Sequence, residues 1–155
     1  MVSSTDILDA KVLVVDDQEL NVRVLLRTLR EAGYVSITST MDPSAVRELY
    51  LKNRYDLILL DLEMPGIDGF QVMESLKEIE TEGFPSVLVI TAEPGHRVRA
   101  LKAGAKDFFS KPFDLAEVLL RVHNLLEIRL LHLETKKLSA QLVELQRLLS
   151  SRNDG

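Results

Sequence analysis

Between Lys11 and about Leu126, short apolar runs alternate with amphipathic stretches, and this alternation limits the possible folds more than any other feature of the chain. The apolar runs are KVLVV (11–15), VSITS (35–39), DLILL (56–60), SVLVI (86–90) and DFF (107–109). Helix-type spacing occupies 19–32, 44–52, 69–80, 95–103 and the stretch from 114 onward, with Gly33, Pro43, Gly69, Pro94 and Gly104 as punctuation. Five βα units in a row predict a parallel sheet with helices on both faces. The continuously apolar first, third and fourth runs suit strands buried on both sides, whereas the more polar VSITS belongs at an edge. With 155 residues, 46% of them hydrophobic, the chain can bury one such core with an appendage; two independent domains would be cramped.

Right-handed crossovers and an edge second strand predict an α/β, flavodoxin-like, doubly wound five-stranded parallel sheet of order 2-1-3-4-5, continued by an extended C-terminal helix. The switch point of that order lies between strands 1 and 3, and ligands bind beyond the carboxyl ends of the strands. The residues that end the runs are Asp16 and Asp17, Asp61, Thr91 and Lys111. Taken singly, each has an ordinary explanation as an Asx turn, a helix cap or a solvated loop lysine. Independent caps have no reason to gather on one rim, so their convergence argues for a site. An all-oxygen set of three carboxylates suits Mg²⁺, with Asp16 and Asp17 holding it, and Lys111 and Thr91 can bind the oxygens of a phosphoryl group. Asp61 is the candidate nucleophile, placed where the third strand breaks into the DLEMPGIDGF loop.

Over roughly residues 10 to 126 the chain resembles the receiver domain of two-component response regulators (CheY-like), through VLVVDDQ, LLDLEMPGIDGF, VITAE and SKPF in order on the expected elements. That resemblance implies Asp61 as phosphoacceptor for a sensor histidine kinase or phosphotransfer protein. It implies Asp16, Asp17, Asp61 and the Glu63 backbone carbonyl as Mg²⁺ ligands, and Thr91 and Lys111 as phosphate sensors. It also implies Phe108 as a switch aromatic moving with Thr91, and a cis bond between Lys111 and Pro112. Phe stands there instead of the often seen Tyr, so no hydroxyl contact is open to it. Glu63 and Glu93 match positions that tune dephosphorylation. Asp68 and Gly69 are explained by loop geometry and capping alone. Catalysis would be limited to the domain's own phosphorylation and hydrolysis; a phosphorylation-independent pseudo-receiver acting as a dimeric binding scaffold is the alternative.

Other classes fit less well. The chain lacks cysteine, which excludes disulfides and thiol chemistry, and a net charge of −5 argues against a nonspecific nucleic-acid or anionic-membrane surface. His96, His123 and His132 lie far apart in sequence, a poor basis for a metal cluster. The N-terminal stretch has no signal-peptide character and no window of about 18 apolar residues occurs, so a cytoplasmic protein is expected. A haloacid-dehalogenase phosphatase needs a second aspartate two positions after its nucleophile. Gln18, Glu19 and Glu63 stand there instead. A dinucleotide-binding reading fails because DDQEL, not a glycine-rich loop, follows the first strand.

From Asp114 to Asp154 neither Gly nor Pro interrupts the chain, which predicts one helix of roughly 35 residues, about 55 Å long, capped by Asp114. Leu115, Val118, Leu119, Val122, Leu125 and Leu126 should face the sheet. Ile128, Leu131, Thr135, Leu138, Leu142, Leu145 and Leu149 recur at alternating spacings of three and four, a heptad seam suited to a parallel homodimer with Thr135 as its weak position. The organisation expected is a receiver domain over 1–126 and a helical coiled-coil extension over 127–155. Such helices resemble the signalling linkers that join receivers to cyclic-di-GMP output modules, the HD-GYP phosphodiesterases and diguanylate cyclases. Either the chain is a fragment of a longer regulator or the paired helix is itself the effector.

Overall fold

A computed structural model of the chain describes residues 1–64, 68–79 and 85–153. The apolar runs form β1 (Lys11–Val15), β2 (Ser36–Thr40), β3 (Leu57–Asp61), β4 (Ser86–Thr91) and β5 (Asp107–Ser110), all parallel, in the order β2-β1-β3-β4-β5. The flavodoxin-like order expected from the sequence is therefore the observed one, with the polar second strand at an edge. Alternation along the strands supplies two cores. Leu13, Val15, Ile58, Leu60, Val87 and Val89 face one side and pack against residues of α3 (Val46–Asn53), α4 (Gly69–Ile79) and α5 (Arg97–Lys102). Val12, Val14, Leu57, Leu59, Leu88, Ile90 and Phe109 face the other, against α2 (Glu19–Glu31) and α6 (Leu115–Asn153).

Three differences from the sequence expectation bear on the site. β2 and β3 sit one residue later than the apolar runs alone indicate, and β4 extends one residue further. Asp61 and Thr91 thus belong to the ladder, Asp61 opposite Ile90 and Thr91 opposite Ser110, and are held by strand pairing. α5 is shorter than 95–103 because Pro94–His96 forms a separate 3₁₀ turn. A further helix, α1 (Ser4–Leu8), precedes the alternation. Ser3 caps it in a reciprocal box with Asp6, and its one buried residue, Ile7, joins the second core. Residue 80 of the helix expected over 69–80, the Pro and Gly of the loop after β3, and the last two residues of the polar C-terminus lie outside the described residues.

α6 is one helix of 39 residues, opened by Asp114, whose carboxylate accepts from the Ala116 N–H at 2.9 Å. Val118, Val122 and Leu126 are buried on the sheet, with Leu115, Leu119 and Leu125, also expected to face it, partly buried beside them together with Leu130. Arg121 grips Asp107 at the start of β5 at 2.7 Å, and Arg129 lies 3.8 Å from Asp56, which also accepts the Lys11 N–H. Beyond Leu130 the helix continues for about 35 Å, and residues 135–153 are exposed along it. Ile128, Leu131, Leu138, Leu142, Leu145 and Leu149 are 46% to 64% exposed.

Candidate functional site

Three of the strand-end residues, Asp16, Asp61 and Thr91, make the local turn their type favours, and the strands bring those turns to one rim. The Asp16 carboxylate accepts from the Gln18 N–H at 2.9 Å, Asp61 from the Glu63 N–H at 3.1 Å, and the Thr91 hydroxyl from the Glu93 N–H at 3.2 Å. Capping and convergence are therefore both present. Asp16 and Asp61 are each only 3% exposed, and carboxylate oxygens of Asp16, Asp17 and Asp61 lie within 4.8 Å of one another. Lys111 Nζ stands 3.4 Å from Asp61 Oδ2 and 3.7 Å from Asp16 Oδ2, and the Lys111 backbone N–H donates to the Thr91 carbonyl at 2.8 Å. The bond from Lys111 to Pro112 is cis, as the resemblance implied.

The electrostatics follow from this crowding. Burial pushes the Asp61 carboxyl up to about 6. The Glu63 N–H opposes that rise, the neighbouring Asp16 adds to it, and Lys111 offsets part of it. Without a metal, one lysine serves two nearly buried carboxylates and a third close by. Asp17 Oδ1 is buried and has no hydrogen-bond partner. An unpartnered buried carboxylate oxygen costs free energy unless a cation or donor reaches it. The donor set is hard oxygen only, so the orphaned atom and the acidic trio fit a divalent metal such as Mg²⁺.

Two placements add to the sequence expectation. Lys111 lies inside the carboxylate cluster, bridging Asp16 and Asp61. Thr91 is fully buried, and its hydroxyl donates to the Glu63 carboxylate. The Glu93 N–H donates to the same Glu63 Oε1 at 2.9 Å. The Glu63 side chain, for which the resemblance implied only a position that tunes dephosphorylation, is thus bonded to the Thr91 hydroxyl, a contact that sequence spacing did not reveal. Asn21, in the first turn of α2, donates to both Asp16 and Gln18 at 3.3 and 3.0 Å and was likewise missed. Phe108 is half-buried against the first core and lines an open groove with Phe113 and Arg121, while Phe109 is buried on the opposite face. Gly69 is required sterically, since a Cβ there would lie 2.7 Å from the Leu62 Cα. The glycine lets α4 start close under the exit of β3, where Asp61 sits.

The response regulator receiver domain model matches residues 12–123, which span the sheet and its flanking helices, so the chain belongs to that family. It is 39% identical over 125 residues to the response regulator PleD of Caulobacter vibrioides, covering 79% of this chain and 27% of PleD. It is 39% identical over 120 residues to the transcriptional regulatory protein ResD of Bacillus subtilis, covering 76% of this chain and 48% of ResD. The chain thus spans about a quarter to a half of the length of these relatives. The solved structure of the Vibrio cholerae chemotaxis protein CheY4 superimposes with a TM-score of 0.69 at 28% identity, covering 76% of this chain and 98% of that one.

Proposed function

We propose that the chain is a phosphoacceptor switch in which Asp61 takes a phosphoryl group from a phosphohistidine of a sensor kinase or phosphotransfer protein. The N–P bond of the donor breaks as a bond forms from an Asp61 carboxylate oxygen to phosphorus, and the imidazole nitrogen keeps the electron pair. Asp61 is the nucleophile because it is the member of the acidic trio on β3, the strand between β1 and β4 at the switch point, with Lys111 at 3.4 Å to balance the charge that arrives. In the metal-free protein its ionised form, the one able to attack, predominates above about pH 6. Asp16, Asp17, Asp61 and the Glu63 backbone carbonyl would hold Mg²⁺, which when bound neutralises the repulsion between carboxylate and phosphate. Lys111 and Thr91 would bind the phosphoryl oxygens, Lys111 by charge and Thr91 by its hydroxyl. Water then cleaves the acyl phosphate and regenerates the carboxylate, the only turnover the domain performs.

The output is read as a change in pairing through the C-terminal half of α6, forming a parallel homodimer along the exposed seam. Phe108, on β5 next to the helix that α6 begins, would move with Thr91. The observation that carries the reading is the convergence of Asp16, Asp17, Asp61 and Lys111 at one nearly buried rim. Acetyl phosphate with Mg²⁺ tests it: intact mass should rise by one PO₃ group in the wild type and not in Asp61→Ala. Equal labelling of the two proteins refutes the assignment.

A further inference from the structure

The Glu63 carboxylate occupies donors that the phosphoacceptor reading needs elsewhere. The Thr91 hydroxyl has one proton, and it is given to Glu63; the Glu93 N–H converges on the same oxygen at 2.9 Å. A hydroxyl and a backbone amide aimed at one anionic oxygen form the kind of cradle that a phosphoryl oxygen uses. Meanwhile the Glu63 backbone N–H donates to Asp61 Oδ1 at 3.1 Å, so one residue supports the acceptor with its main chain and engages the sensor with its side chain.

We propose that Glu63 is an internal anion that latches Thr91 in the unphosphorylated state, and that a phosphoryl group on Asp61 must expel its carboxylate to reach the Thr91 hydroxyl. This rests on the phosphoacceptor reading and adds a positioning residue to it. The exchange is exclusive for two reasons. The hydroxyl cannot donate to both anions, and a phosphoryl group two residues away repels a carboxylate held at the same donors. Glu63 is partly exposed, so its side chain can swing into solvent without burying a charge. The latch sets the threshold of the switch: it disfavours the active arrangement until a covalent or tightly bound phosphate competes. Thr91 release then becomes the event that reaches β5 through its ladder neighbour Ser110 and through Phe108, two residues before it on the same strand.

The test measures beryllofluoride binding in Mg²⁺ for wild type, Glu63→Ala, Glu63→Gln, Thr91→Ala and the Glu63→Ala/Thr91→Ala pair. Loss of a charge-assisted hydrogen bond that competes with the ligand predicts roughly tenfold tighter binding for Glu63→Ala, with Glu63→Gln in between. In the Thr91→Ala background the gain should vanish, because the latch acts through that hydroxyl. A gain that persists undiminished without Thr91 would show simple charge repulsion and overturn the latch, as would an unchanged or weaker affinity of Glu63→Ala. Failure of the wild type itself to bind would instead strike at the phosphoacceptor reading. A second readout needs no phosphate: the Glu93 amide proton resonance of the free protein should shift upfield in Glu63→Ala, and an unmoved resonance overturns the latch even where beryllofluoride binds.

Discussion

Asp61→Asn should stabilise the metal-free protein at neutral pH. Burial raises the Asp61 carboxyl from 3.8 to about 6, so the folded state holds its proton more tightly than the unfolded chain does. Below pH 3.8 both states are protonated and the group costs nothing. As pH rises through 6 the folded state must ionise a buried carboxylate, and stability is lost. A shift of about two units corresponds to about 3 kcal/mol at pH 7.5, with the favourable contact to Lys111 already included. The asparagine keeps an acceptor for the Glu63 N–H but turns an amide donor toward Lys111, which returns about 1 kcal/mol of that gain. A net stabilisation of about 2 kcal/mol follows, a rise of about 1 M in the urea midpoint. Urea unfolding in EDTA at pH 7.5 and pH 4 measures it. The gain should be present at the higher pH and nearly gone at the lower; an equal gain at both, or none at pH 7.5, refutes the account of how the rim is strained.

Three other perturbations probe the supports of the site. Leu126→Ala, at a fully buried position where α6 meets the sheet, should cost about 2–5 kcal/mol by chemical denaturation, and a cost below about 1 would show that the helix is not docked there. Gly69→Ala forces a methyl against the Leu62 backbone and should cost about 1–3 kcal/mol while weakening Mg²⁺ binding by displacing Asp61; unaltered metal affinity with full stability would contradict the close approach. Leu142→Glu combined with Leu145→Glu places charge in the exposed seam and should convert a sedimenting dimer to monomer without moving the unfolding midpoint of the sheet domain. A dimer that survives both charges would remove α6 from the pairing surface.

The sheet was legible because parallel strands buried on both faces must be continuously apolar, as in Val12–Val15 and Leu57–Leu60, and because chain connectivity leaves few ways to order five βα units. The rim followed from that order, and the docked face of α6 from a helical repeat that Val118, Val122 and Leu126 keep strictly. α1 escaped because five residues carry too little periodicity; its Ser3–Asp6 capping box was the available signal. The bond from Thr91 to Glu63 joins residues 28 apart in sequence and depends on two rotamers, which no spacing rule encodes. The bridging position of Lys111 was hidden for the same reason: sequence placed the lysine on the rim, but only the packed strands decide which carboxylates its ammonium meets.

The central claim is that one carboxylate of the crowded rim becomes covalently attached to phosphorus. Borohydride reduces an aspartyl phosphate to homoserine, so treatment of the phosphorylated protein followed by peptide mass spectrometry reads the acceptor directly. Homoserine should appear at position 61 and at neither 16 nor 17, and only when Mg²⁺ is present during phosphorylation. Conversion at either neighbouring aspartate, or an equal yield at position 61 in EDTA, would contradict it.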